Sequence, residues 1–427
     1  MKSRSMFTVP LRAGATLLCL LLVSACVTAP EIVNPIPEGD YRDRIQIQEG
    51  NGIKVSTAVP SADESKQLFG KPLYKSGIQP VWLKFENGRD TPLTFLPVGL
   101  DPAYFSPLEV ANWDSGESTP AEFLVDEFFM DQSMNLIIPP GSERSGFVFT
   151  KLDEGTKAFN VDVVGEDDFS TFTFFVPVPG LHIDHYSVDW RNLYAPDQWV
   201  DLDKDQLIGE IEKYECCVKD AAGKNTGDPL NLVLIGRPMD IYTAFIRAGW
   251  DETESITRGT AWKTMKSFLS GGEYRYSPVS SLYVFGRPQD IAFQKARSNI
   301  HERNHLRLWM SRVTYQGVPV WIGQISRDIG VRFTTKTITT HKIDPNVDET
   351  REFLLENLAY AQSVKAIGYV GGVGPVSMEE PRGNLTGDPW FTDGYRLVLW
   401  VTSQPAPISS IKVLDWRNPY APGHPTP

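Results

Sequence analysis

Beyond residue 40 apolar and polar positions alternate, and the alternation predicts strands. Ile45 and Ile47 precede an Asn51-Gly52 pair, and Ile53 and Val55 follow it. Alternation around Asn-Gly is a strong short-range sign of a hairpin. The stretch VWLKFENGRDTPLTFL repeats the arrangement, with Val81, Leu83 and Phe85 on one face and a turn expected at Asn87-Gly88. Further strands are expected at 146–150, 158–164 and 170–178. Together they predict an antiparallel β-sandwich, immunoglobulin-like, over residues 41–180.

From 228 to 405 the periods mix. Residues 231–235 and 281–285 read as strands, each followed by a segment expected to be a helix, PMDIYTAFIRAGW and PQDIAFQKARSNI. HLRLWMSRV and VPVWIGQIS read as a hairpin joined through Tyr315-Gln316-Gly317, Asp344 to Ala361 as a helix, and 367–373 and 395–403 as strands. The sum is an α+β domain with a mostly antiparallel sheet and helices on one face.

Both expected strand–helix junctions are written Gly-Arg-Pro-x-Asp-Ile, at 236–241 and 286–291. Glycine suits a positive φ or a close backbone approach. Pro238 and Pro288 fit a first helical position, and Asp240 and Asp290 suit the positive end of a helix. The sextet reads as a chain-turning device, with Arg237 and Arg287 left as candidate anion contacts. A second echo pairs DWRNLYAP (189–196) with DWRNPYAP (415–422), identical at seven of eight positions. Its rings, Trp190 with Tyr194 and Trp416 with Tyr420, are candidate binding groups, expected to clasp this domain rather than a neighbour because large exposed aromatic patches are uncommon.

The first 25 residues change the picture. Lys2, Arg4 and Arg12 precede a short apolar run from Ala13 to Val23, and Val23-Ser24-Ala25-Cys26 follows. This is a signal peptide ending in what resembles a bacterial lipobox. Cys26 is then the expected lipidation site, with residues 26–40 a Pro-rich tether. Val27 in place of an aspartate points, by resemblance to Gram-negative lipoproteins, to the outer membrane facing the periplasm. No later run is long enough to span a bilayer. The formal charge of −12 argues against nucleic acid as a partner. Two thiols remain, Cys216 and Cys217, adjacent and unassigned between a vicinal disulfide in an oxidising compartment and a pair of unbridged thiols. Residues 181–227 read as a connector and 406–427 as a tail.

Candidate chemistry gathers in two segments. In NIHERNHLRLWMS, period two puts His305, Arg307 and Trp309 on one sheet face, and His301 belongs to the end of the preceding element. In THKIDPNVDETRE stand His341, Asp344, Asp348 and Glu349; Asp328 lies between the two. One reading gathers His305, Asp328, His341 and Asp344 around zinc or manganese, with Asp348 or Glu349 as base. The other makes Asp344 a helix cap and Asp348 and Glu349 first-turn acids. No motif for a serine hydrolase, zinc protease, nucleotide loop or dinucleotide site occurs.

The stretches SLYVFGRPQDIAFQKA, RNHLRLW, GVPVWIGQISRDIG and THKIDPNVDETRE resemble the LssY C-terminal domain family of bacteria over roughly 228 to 375. The resemblance implies an envelope setting beside membrane modules of other members, but no established activity and no catalytic residues. Two functions follow as expectations. The preferred one is a non-enzymatic, lipid-anchored envelope protein binding a partner or ligand; the other is a metal-dependent hydrolase of a phosphoester or lipid headgroup.

Overall fold

Asn51 and Gly52 both take left-handed backbone angles, φ 52° and 73°, and close the expected hairpin between β1 (Gln46–Gly50) and β2 (Ile53–Ala58). The computed structural model describes residues 40–113, 120–180, 188–189, 192–253, 281–296, 303–332 and 340–416. The signal segment, Cys26, the tether, Trp190, His301 and Tyr420 lie outside the described residues.

The chain continues through β3 (Ile78–Asn87), β4 (Leu93–Leu96), β5 (Ile137–Ile138), β6 (Glu143–Lys151), β7 (Thr156–Val164) and β8 (Phe169–Pro177). They form two antiparallel four-stranded sheets, ordered β1-β2-β3-β6 and β5-β4-β7-β8. Val55, Leu83, Phe85 and Val148 of the first meet Phe95, Val161, Phe172 and Phe174 of the second in one core. The sandwich is as expected; the turn at Asn87-Gly88 is not. It carries the chain from β3 in one sheet to β4 in the other, not round a hairpin. The buried Asn87 amide holds the crossing, with Nδ2 2.9 Å from Thr91 O and 3.1 Å from Pro139 O. Three helices that the period-two reading passed over, Ala62–Phe69, Pro107–Ala111 and Pro120–Gln132, lie between these strands.

The second half builds β9 (Val200–Leu202), β10 (Cys217–Lys219), β11 (Thr226–Pro229), β12 (Leu232–Ile235), β13 (Asp251–Glu252), β14 (Tyr283–Val284), β15 (Arg287–Pro288) and β16 (Ile291–Ala296). Then come β17 (Arg303–Tyr315), β18 (Val318–Arg332), β19 (Thr340–Ile343), β20 (Val364–Val370), β21 (Arg382–Gly383), β22 (Pro389–Trp390), β23 (Arg396–Val401) and β24 (Lys412–Val413). A large sheet runs β13-β16-β17-β18-β12-β23-β20-β24, with β9 beside β17 and β19 beside β18. It is mostly antiparallel; β12–β23, β9–β17 and β20–β24 are parallel. The expected hairpin β17–β18 is its longest pair, turning at Gln316 and Gly317 with φ 52° and 72°.

One face carries helices Pro238–Arg247 and Val347–Tyr360 over Leu234, Phe245, Leu306, Leu354 and Leu399. The other face is not bare, as a one-sided arrangement required. Helix Lys204–Ile211 and a small sheet, β11-β10-β14-β15, pack there over Val233, Trp309 and Ile322.

The two GRPxDI copies part company. Residues 236–241 open a helix as expected, with the Arg237 N–H donating to Asp240 Oδ2 at 3.4 Å. Residues 286–291 instead join β14 to β15 and enter β16, where a helix was expected. Phe285 and Gly286 take φ 54° and 74°, the pair of left-handed residues that closes a tight hairpin. The face that enters the core differs downstream of each sextet: Ile241, Ala244 and Phe245 enter it at helical spacing, whereas Ile291 and Phe293 enter it from one face of a strand whose other face, Ala292 and Gln294, is buried too.

Candidate functional site

β17 alternates as expected. Leu306, Leu308 and Met310 enter the helix-covered core, while Arg303, His305, Arg307 and Trp309 take the opposite face. In register beside them stand Gln294 of β16 and Gln324, Ser326 and Asp328 of β18. All of these side chains are buried. A row of charged and amide groups inside a sheet is costly unless its members satisfy one another.

They do so through short contacts. His305 Nε2 lies 2.6 Å from Asp328 Oδ2 and 3.0 Å from Arg303 Nε. One ring nitrogen cannot accept from Arg303 and donate to Asp328 at once. With Asp328 ionised the proton sits on Nε2 and points at the carboxylate, and Arg303, 3.8 Å from Asp328, contributes charge. Arg303 also donates to Gln294 Oε1 at 2.7 Å, and Arg307 to Gln324 Oε1 at 3.0 Å. Burial pushes the His305 pKa down to about 4, so the ring is neutral at pH 7. Burial likewise lowers Arg307 to about 10 and raises Asp228 of β11 to about 6, the latter opposed by a hydrogen bond from Asn384 and by the Arg307 charge. Asp228 accepts from Asn384 Nδ2 at 3.1 Å. Asn384 and the buried Asp388 belong to the hairpin between β21 and β22, which reaches the cluster through Asp228.

The structure unites His305 with Asp328 but takes Asp344 elsewhere. Asp344 is on the helix side, its Oδ2 4.0 Å from Arg327, whose guanidinium lies over Phe353. It is not the helix cap either. Asn346 caps Val347–Tyr360, accepting from the Glu349 N–H at 3.4 Å, and Asp344 Oδ1 accepts from the Asn346 N–H at 3.0 Å. Asp348 accepts from Thr392 Oγ1 at 2.7 Å and the Asp393 N–H at 2.6 Å and pairs with the fully buried Arg351. Glu349 pairs with Arg327 at 3.4 Å. His341 lies on β19 opposite Val331, and its side chain is outside the described residues. Among the described residues no three His, Cys, Asp or Glu side chains are grouped to hold a metal. The donors present, one imidazole and one carboxylate beside two guanidinium groups, do not fit zinc or manganese, because the arginines oppose a cation.

The binding candidates divide as well. Arg237 is exposed at its helix start. Arg287 is occupied by its own motif: it forks onto Asp290 at 2.7 and 2.8 Å and donates to Tyr194 Oη at 2.8 Å and to Met310 O at 2.6 Å. Tyr194 in turn donates to Met310 O at 2.8 Å. Trp416 is buried edge-on against Tyr315. The described ring of each DWRN-x-YAP copy therefore packs on this same lobe.

Arg303, Gln294, Gln324, Ser326, Asp228, Asn384 and Asp388 had not been singled out in the sequence. The signal for two was available: Gln324 and Ser326 continue the face of Val320 and Ile322 towards Asp328 at period two. Asp228 and the hairpin reach the cluster from distant sequence and leave no local sign.

Residues 208–395 match the family model described as LssY C-terminus, a wider span than the motifs marked. The match supports the recognition of an LssY C-terminal domain here; it covers β10 to β22, including the whole buried cluster. No curated protein matches the chain. Among the described residues no helix is long and apolar enough to cross a membrane.

Proposed function

We propose that this protein is a lipid-anchored envelope protein whose LssY C-terminal domain is a binding module rather than a hydrolase. Cys26 carries the acyl chains, the tether spans to the lobes, and the N-terminal sandwich serves as an immunoglobulin-like spacer in a periplasm-facing outer-membrane setting. The observation that carries the binding reading is how the polar side chains are used. The acids of the metal reading are engaged elsewhere: Asp344, a proposed ligand, accepts from the Asn346 N–H, and Asp348 and Glu349, the proposed bases, pair with Arg351 and Arg327. The row of Arg303, His305 and Arg307, held by its own contacts, carries positive charge that suits a polar or anionic ligand group.

Fractionation tests the anchor. Wild type should sediment with membranes and label with palmitate, while Cys26→Ala does neither; a Cys26→Ala protein that still behaves as an integral lipoprotein refutes the anchor. The binding reading expects p-nitrophenyl phosphate and its bis-ester to be left uncleaved with or without zinc or manganese. Turnover abolished by His305→Ala in a variant that still folds overturns it.

One contact favours the second reading, hydrolysis. His305 and Asp328 at 2.6 Å form a base with an orienting carboxylate. In that reading His305→Ala removes turnover and Asp328→Asn slows it, with a changed pH profile as the signature.

A further inference from the structure

Cys216 and Cys217 are bonded to each other as a vicinal disulfide. A bond between adjacent residues closes a small ring, which fixes both side chains and the peptide between them. The flanks are held as well. The Arg396 guanidinium donates to Tyr214 O at 3.1 Å and Glu215 O at 2.9 Å, and the Leu230 N–H donates to Cys216 O at 2.7 Å. The two sulfurs differ. Cys217 is buried with Ile343, Val347, Val376 and Trp390, whereas Cys216 is half-buried with its Sγ 3.9 Å from Arg382 Nη1.

Arg382 begins the β21–β22 hairpin, and the hairpin lies against β10 and β11. At its open end Arg382 meets Cys216, and its cross-strand partner Trp390 shares an apolar cluster with Cys217. Nearer the tip Asn384 reaches Asp228, and Leu385 packs so closely on Gly227 that a Cβ there would come within 3.1 Å of it. Asp228 and Asp388 are near enough for their charges to influence each other, and Asp228 faces Arg307. Two of these four contacts thus end on the disulfide, and Ile343, Val347 and Val376 also surround Trp390.

We propose that Cys216–Cys217 is a thiol–disulfide exchange site for a dithiol reductant, and that its reduction loosens the Arg382–Trp390 hairpin, which reaches the buried Arg303–His305–Arg307 cluster through Asp228. A thiolate of the dithiol attacks Cys216 Sγ, the sulfur with solvent access, and forms a mixed disulfide. The Cys216–Cys217 bond breaks with its electron pair on Cys217, which takes a proton from water. The second thiol of the reductant then attacks its partner sulfur and expels Cys216 as a thiolate beside the Arg382 guanidinium, which stabilises it. The dithiol leaves as a disulfide, and the protein gains two electrons. Both side chains then rotate freely, Cys216 loses its fixed approach to Arg382, and Cys217 its fixed seat beside Trp390. The proposal does not depend on the lipid anchor or on the binding reading.

The test uses the full mature chain under native conditions, with dithiothreitol as the reductant and iodoacetamide as the trap. Peptide mass should show Cys216 and Cys217 unalkylated before reduction and both alkylated after it, Cys216 labelled ahead of Cys217, whatever the state of Cys26. Hydrogen exchange across 382–390 should rise several-fold on reduction while β1–β8 stay unchanged. Arg382→Gln should slow alkylation of reduced Cys216 near neutral pH by a few-fold, with the difference vanishing at a pH where the thiol ionises unaided. Two thiols free before any reduction, reduction only in denaturant, or unchanged exchange across 382–390 each overturn the proposal. Should Arg382→Gln not fold, the wild-type comparison still decides.

Discussion

At the scale of single residues, the buried polar side chains fall into those that titrate near neutrality and those that do not. His305 has its pKa pushed below that of an exposed imidazole, to about 4, by burial first and the neighbouring guanidinium charges after, against the pull of Asp328. The unfolded chain therefore binds a proton that the folded chain refuses. Its contribution to stability is complete above about pH 6.5 and is lost as pH falls towards 4, at roughly 1.4 kcal/mol per unit. Urea melts at pH 7 and pH 5 should differ by about 2 kcal/mol more in wild type than in His305→Gln. Arg396 stays charged, its pKa lowered by burial to about 10, and spends its fork on carbonyls. Leu230 O lies at 2.9 Å and those of Tyr214 and Glu215 at 3.1 and 2.9 Å, with Ile211 O also accepting. Those carbonyls end the helix Lys204–Ile211 and lead into the disulfide, so one guanidinium ties three segments to the sheet. Arg396→Met strands several buried acceptors and should cost about 3 kcal/mol or more in a denaturant titration.

At the scale of elements, the repeated sextet separates what local sequence specifies from what its surroundings impose. Gly236 has no left-handed φ, but a Cβ on it would come 2.6 Å from Val401 Cγ2 and 3.2 Å from Ile241 Cγ1. Gly286 has open space around it and a φ of 74°. The same glycine is thus required for close approach in one copy and for backbone freedom in the other. Gly236→Ala should lose roughly 2–3 kcal/mol through overpacking and regain part of it with Val401→Ala. Gly286→Ala should lose about 1 kcal/mol, and Val401→Ala should not rescue it. Melting temperatures of the four variants decide. The same contrast explains how much could be read in advance. Hairpins at Asn51-Gly52 and Gln316-Gly317 were legible because turn residues and alternation agree. The short helices at Ala62 and Pro107 were legible too, from Ser61-x-x-Glu64 and Ser106-x-x-Glu109, both of which form capping boxes. The strand after Gly286 was misread as a helix because a shared motif was given more weight than the alternate entry of Ile291 and Phe293 into the core. The face of His305 and Arg307 followed from period two, but Asp228 and Asp388 arrive through strand pairings that no local pattern encodes.

At the scale of the molecule, one carboxyl group stands where the sandwich meets the large sheet. Glu252 of β13 is buried and accepts from Thr156 of β7, the backbone N–H at 2.8 Å and Oγ1 at 3.0 Å. Tyr242 Oη also contacts Thr156 Oγ1, and Arg247 lies over Phe175. Burial raises the Glu252 pKa to about 8, opposed only by the two Thr156 hydrogen bonds. The folded state therefore holds a proton that the unfolded state releases near pH 4.5. The stabilisation is complete below that value and is lost as pH rises through 8. Above it the chain must keep a carboxylate in a buried junction or open the junction further to water, and opening leaves each lobe with its own core. Calorimetry of the soluble mature chain should accordingly give one transition at pH 6 and a broadened or split one at pH 9.5, when the sandwich and the large sheet no longer hold each other. Glu252→Gln keeps hydrogen bonding to Thr156 without a charge to expel, and it should melt in one transition at both values. Two transitions in wild type at pH 6, or a Glu252→Gln protein that splits at pH 9.5 as wild type does, would show that the lobes are coupled by something other than this proton.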